Sequence, residues 1–164
     1  MVIILIYMNL IIFVTGFIFL ILASFYDLKD RKVKNMLWIL FSITSLTILL
    51  INDINYLKVI LALMGIGISY LIYITNMFYA GADCKAFMCL ALLTPIMFFD
   101  ILFISFATTI LFIPLIKYYK KISWIEAGTK KDFPFMVSIL SGFVFVQLLN
   151  LFNLCYIKNL IMLY

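Results

Sequence analysis

Seven of the 164 residues are acidic, and two of them, Asp27 and Asp83, each abut an apolar stretch from within a short basic segment. Asp27 opens Asp27-Leu-Lys-Asp-Arg31-Lys-Val33-Lys-Asn35, and Asp83 lies in Ala80-Gly81-Ala82-Asp83-Cys84-Lys85. Two carboxylates delivered to one membrane face by different helices are the minimum equipment for aspartic-type hydrolysis of a peptide bond. One must hold a proton while the other stays ionised, because like charges at close range cannot both ionise. Asp83 is expected to open a helix, where the dipole favours its anion by about 0.3–1 kcal/mol if exposed. Asp27 is expected to end one directly, so it is the better holder of the shared proton, within a pair that titrates as a unit. In this scheme the ionised partner takes a proton from a bridging water as the water attacks the carbonyl. The protonated partner polarises that carbonyl.

The elements that must position this pair are helices in lipid. The chain is 68% hydrophobic with a mean hydropathy of +1.26. Soluble domains run at about 45–50% apolar, so the composition is that of an integral membrane protein. Six apolar stretches are read at 2–26, 36–51, 57–79, 84–99, 101–116 and 134–157. The expected architecture is all-α and polytopic, with about six transmembrane helices in a single membrane-embedded domain over 1–164. A span needs about 20 residues, so the second, fourth and fifth stretches are short. The fourth and fifth are separated by Asp100, where a tight hairpin is expected. Pro95 and Pro114 are expected to bend these helices. The first stretch carries its charges after the apolar run, unlike a cleavable signal peptide.

Basic residues set the orientation. Lys29, Arg31, Lys32, Lys34, Lys85, Lys117, Lys120, Lys121, Lys130 and Lys131 fall on one face, and Lys58 and Lys158 on the other. Ten against two places both termini outside and the odd loops inside. Asp53 and Asp100 then fall on the outer face. Asp30, Glu126 and Asp132 read as solvated charges among lysines. The net charge of +5 is spread through loops, which fits topology control and a lipid bilayer rather than nucleic acid.

The chain contains no histidine. That excludes Ser-His-Asp and Cys-His catalysis and HExxH zinc sites. Cys84, Cys89 and Cys155 form no C-x-x-C pair, so no metal or cofactor is expected, and the thiols read as small apolar helix residues. Ala80, Gly81 and Ala82 leave room for close backbone approach beside Asp83.

Taken together, these segments resemble the prepilin peptidase family, membrane aspartic proteases that include archaeal preflagellin peptidases. The family pattern Asp-x-x-x-Arg-x-Ile/Val-Pro-Asn matches Asp27, Arg31, Val33 and Asn35, with Lys34 in place of the proline. The family's Gly-x-Gly-Asp-x-Lys reads Ala80-Gly81-Ala82-Asp83-Cys84-Lys85, with alanines at both glycine positions. Asp132-Phe133-Pro134-Phe135-Met136 looks like the Pro-Phe element that opens the last helix. The resemblance implies Asp27 and Asp83 as the catalytic pair, supported by Arg31, Asn35, Gly81, Lys85, Pro134 and Phe135. It implies cleavage of type IV pilin or archaellin precursors, between a short basic leader and a hydrophobic helix, at the cytosolic face of a prokaryotic cell membrane. This chain lacks the zinc-binding cysteine region of many bacterial members, which favours the compact archaeal or tight-adherence-type forms.

Other readings stay open. Presenilin-type proteases share a Gly-x-Gly-Asp element and a Tyr-Asp pair, here Tyr26-Asp27, but have about nine spans. A small transporter or channel subunit predicts ionisable groups in mid-helix. A non-catalytic scaffold of pilus assembly would tolerate loss of both carboxylates.

Overall fold

The structure, a computed structural model, describes residues 2–30, 32–52, 55–75, 81–120 and 135–162. These form six helices: α1 (Val2–Asp30), α2 (Asn35–Ile51), α3 (Tyr56–Ile74), α4 (Gly81–Leu93), α5 (Phe98–Lys120) and α6 (Phe135–Met162). Four carry stretches long and apolar enough to cross a membrane: Ile6–Lys29, Tyr56–Ile74, Phe98–Tyr118 and Phe135–Phe152. The helix order agrees with the apolar pattern of the sequence.

Of the boundaries that differ from expectation, three bear on the arrangement of the acids and prolines. The break between the fourth and fifth helices falls at Thr94–Met97, and Asp100 sits in the first turn of α5. Pro95 therefore ends α4 rather than bending it, since proline can neither donate to the helix ladder nor clear the preceding turn. Thr94 closes the helix by donating from its amide (2.8 Å) and its hydroxyl (3.0 Å) to Leu90 O. Asp100, as an acid in a first turn, is favoured by the helix dipole and needs no loop. Secondly, α5 is 23 residues, so it is not short; Pro114 lies inside it. Thirdly, α1 runs on to Asp30, which leaves Asp27 in its last turn rather than directly beyond it. Leu28, Lys29 and Asp30 include no helix breaker that would stop it sooner.

Packing centres on α4. It is the shortest of the described helices, at 13 residues, and Asp83, Cys84, Ala86, Phe87, Cys89, Leu90, Ala91 and Leu93 are all buried. Lys85 is the one exposed residue of this helix, so α4 is covered on nearly every side, as expected of a helix whose residues are mostly apolar. α4 packs on both α2 and α3 and also touches α1, α5 and α6. The remaining helices close through α5 on α6 and α6 on α1.

Small residues set the closest approaches. A Cβ on Gly142 of α6 would collide with Ser105 Oγ and stand 2.9 Å from Ser105 N and 3.1 Å from Ile101 O, both backbone atoms of α5. A Cβ on Gly65 of α3 would stand 2.7 Å from Ala91 Cβ of α4. Between apolar helices in lipid there is little hydrophobic drive, so such close contact and interhelical hydrogen bonds hold the bundle. Ser141 Oγ donates to Thr108 Oγ1 (3.2 Å) and Thr108 Oγ1 to Ser138 O (3.3 Å) across α5 and α6.

Candidate active site

The segments singled out in the sequence gather at one end of the bundle. Asp27 is partly buried in the last turn of α1. Asp83 is 3% exposed in the first turn of α4, a helix that packs against α1. Both carboxylates have interaction partners. At the start of α4 the unpaired N–H groups of the first turn favour an anion, whereas the end of α1 presents carbonyls. The two acids thus occupy opposite helix poles, as the sequence predicts.

Three contacts tie this end together. Lys85 Nζ donates to Asn35 Oδ1 at 2.7 Å, joining the start of α4 to the start of α2. Lys34 Nζ lies 5.7 Å from the centre of the Tyr26 ring, next to Asp27 in sequence; this cation–π contact folds the connection between α1 and α2 back onto α1. Ser24 Oγ, one turn before Asp27, donates to Met136 O at 3.2 Å and so fixes the start of α6 against α1. Lys34 is the N-cap of α2 but has no side-chain acceptor for the helix amides; the cap is a backbone bond from Leu37 N to Lys34 O at 3.1 Å. A proline at that position would also preset an extended backbone, and Lys34 already adopts it, with φ −62° and ψ 134°.

Phe135 is 1% exposed, with its ring 6.4 Å from Phe87 of α4 and 5.7 Å from Phe106 of α5. It acts as a wedge that sets the height of α4 relative to α5 and α6. Gly81 is partly buried, and an added Cβ would meet only Tyr73, at 3.7 Å and beyond. Its small size is therefore not demanded by space. Arg31 and Pro134, and the expected contributions of Ala80, Asp132 and the basic loop at 121–131, lie outside the described residues.

Cys84 and Cys89 are free, buried thiols. Cys84 Sγ donates to Ser69 O at 3.6 Å, and Cys89 Sγ lies 3.2 Å from Ser42 Oγ. Both therefore serve helix packing. Among the described residues no cluster of acidic or cysteine side chains is arranged to hold a metal ion.

The sequence marks Asn35 and Lys85 separately but does not show their bond. Nor does it single out Trp38, whose buried indole Nε1 has no hydrogen-bond partner among the described residues. A signal was present: Asn35, Trp38 and Ser42 recur at helical spacing on one side of α2. Comparison with protein-family models, with curated proteins and with solved structures gives no match for this chain.

Proposed function

We propose that this chain is a membrane aspartic endopeptidase that removes the short basic leader from type IV pilin-like or archaellin precursors at the cytosolic membrane face. The observation that carries the reading is the burial of Asp83 in the first turn of α4, at the same end of the bundle as Asp27 on the adjoining α1. The segments around both acids follow the prepilin peptidase pattern, and the Asn35–Lys85 bond joins one motif to the other.

In the reaction, Asp83 acts as the base and Asp27 carries the proton. Asp83 takes a proton from the water as the water oxygen bonds to the scissile carbonyl carbon. Asp27 donates its proton to the carbonyl oxygen, and a neutral tetrahedral diol results. Collapse of the diol breaks the C–N bond: the proton on Asp83 passes to the leaving amine, and a diol hydroxyl returns its proton to Asp27. The pair ends in its starting protonation state, and water is the only co-reactant.

Co-expression in membranes with pilin and archaellin precursors tests this, with leader loss read by mass. Wild type should cleave one class. Asp27→Asn and Asp83→Asn should each lower the rate by about 10²–10⁴-fold. Undiminished cleavage in either variant removes that residue from the pair. No cleavage of any precursor by correctly inserted wild type overturns the proposal.

A further inference from the structure

A groove of about 490 Å³ runs between α2 and α4, lined by Asn35, Trp38, Ile39, Ser42, Ile43, Lys85, Met88 and Cys89. Its polarity is graded along α2. Asn35 and the Lys85 ammonium stand at the mouth. Trp38 follows about 4.5 Å deeper, Ser42 about 10.5 Å and Ile43 about 12 Å, at 1.5 Å per residue.

Two features of this groove call for a ligand. Lys85 is exposed, and its partner among the described residues is the neutral Asn35 Oδ1, so its charge and two of its N–H donors remain available. Trp38 is 4% exposed and its Nε1 is out of reach of the groove, so the indole forms part of the wall. Lys32 and Lys34, both exposed on the connection that leads into α2, add positive charge at this end. Ile39 and Ile43, deeper in, are more than half exposed and continue the groove as an apolar surface.

We infer that the α2–α4 groove holds one anionic phospholipid, with its phosphate on Lys85 and an acyl chain along Ile39, Ile43 and Met88. The order of cation and then apolar wall repeats the order of phosphate and chain in such a lipid. A basic peptide leader suits this mouth poorly, since Lys85, Lys32 and Lys34 would repel it. The inference does not rest on the peptidase reading, because it uses neither carboxylate.

The test is native mass spectrometry of the protein released from vesicles of mixed phosphatidylcholine and phosphatidylglycerol. Wild type should retain one phosphatidylglycerol. Lys85→Ala should lower that retention about tenfold, the loss of one charge-assisted hydrogen bond. Ile43→Trp, which fills the groove and leaves the charge in place, should lower it as well. Both side chains are exposed and lie outside the packed core, although Lys85→Ala also removes the bond to Asn35. Equal retention by wild type and both variants, preference for phosphatidylcholine, or a peptide retained in place of lipid would each overturn the assignment.

Discussion

At Gly81 the local geometry separates what the chemistry needs from what the sequence pattern merely contains. The nearest atoms to an added Cβ are on the Tyr73 ring, at ordinary contact distance. Gly81→Ala should therefore keep leader cleavage within about twofold of wild type, a shift smaller than about 0.5 kcal/mol. Asp83→Glu should behave very differently. The site is 3% exposed, and one extra methylene must push the carboxylate off its position; misplacement by about 1 Å can cost about 10²-fold in rate. Cleavage by both variants, assayed on the same precursor, checks the pair of expectations. At this scale the sequence was legible in part. Asp27 and Asp83 stand out because each joins a charge to an apolar stretch. The bond between Asn35 and Lys85 was not legible, because it depends on how α2 and α4 meet across 50 residues of sequence. Asn35 also reads naturally as a helix-start residue, which conceals that its side-chain oxygen is engaged elsewhere.

Among the elements, α6 is positioned by a wedge and a close contact, and each predicts a distinct failure. Phe135→Ala leaves a void between Phe87 and Phe106, and should destabilise the fold by about 3 kcal/mol. Gly142→Ala must force α6 away from backbone atoms of α5 and should cost about 1–3 kcal/mol. Gly67→Ala is the control. Among the described residues nothing beyond its own stretch of helix lies within 4 Å of its added Cβ, and a helical alanine in place of glycine should stabilise by about 0.5–1 kcal/mol. Unfolding in detergent–denaturant mixtures would rank the three. The hairpin after α4 shows why boundaries were harder to read than elements. Asp100 is the only charge between two apolar stretches and so attracts the break, whereas Thr94-Pro95 is the pair that physically stops a helix. The role of α4 as the centre of packing was illegible for a different reason. In lipid, buried and lipid-facing surfaces are both apolar, so composition does not tell one from the other.

For the whole molecule, the bias of basic residues predicts that the α1–α2 connection faces the cytosol and the α2–α3 connection faces out. On a background with its native cysteines replaced, a cysteine at Lys34 should label only from the cytosolic side. One at Tyr56, which is 90% exposed, should label only from outside. The reversed pattern would overturn the assigned orientation. The unequal helix lengths have a further consequence. α1 has 29 residues, about 43 Å, whereas α2 has 17, about 25 Å. The α2 flank presents Ile39, Leu40, Ile43, Leu46, Leu50 and Ile51 outward. If α2 crosses the membrane as the sequence predicts, a short helix faces a hydrocarbon layer of about 30 Å, and thinning of the layer on that flank, at fractions of a kcal/mol per ångström, would match the two. The protein should therefore be most stable in bilayers of shorter acyl chains, and should collect in the thinner regions of any membrane whose thickness varies.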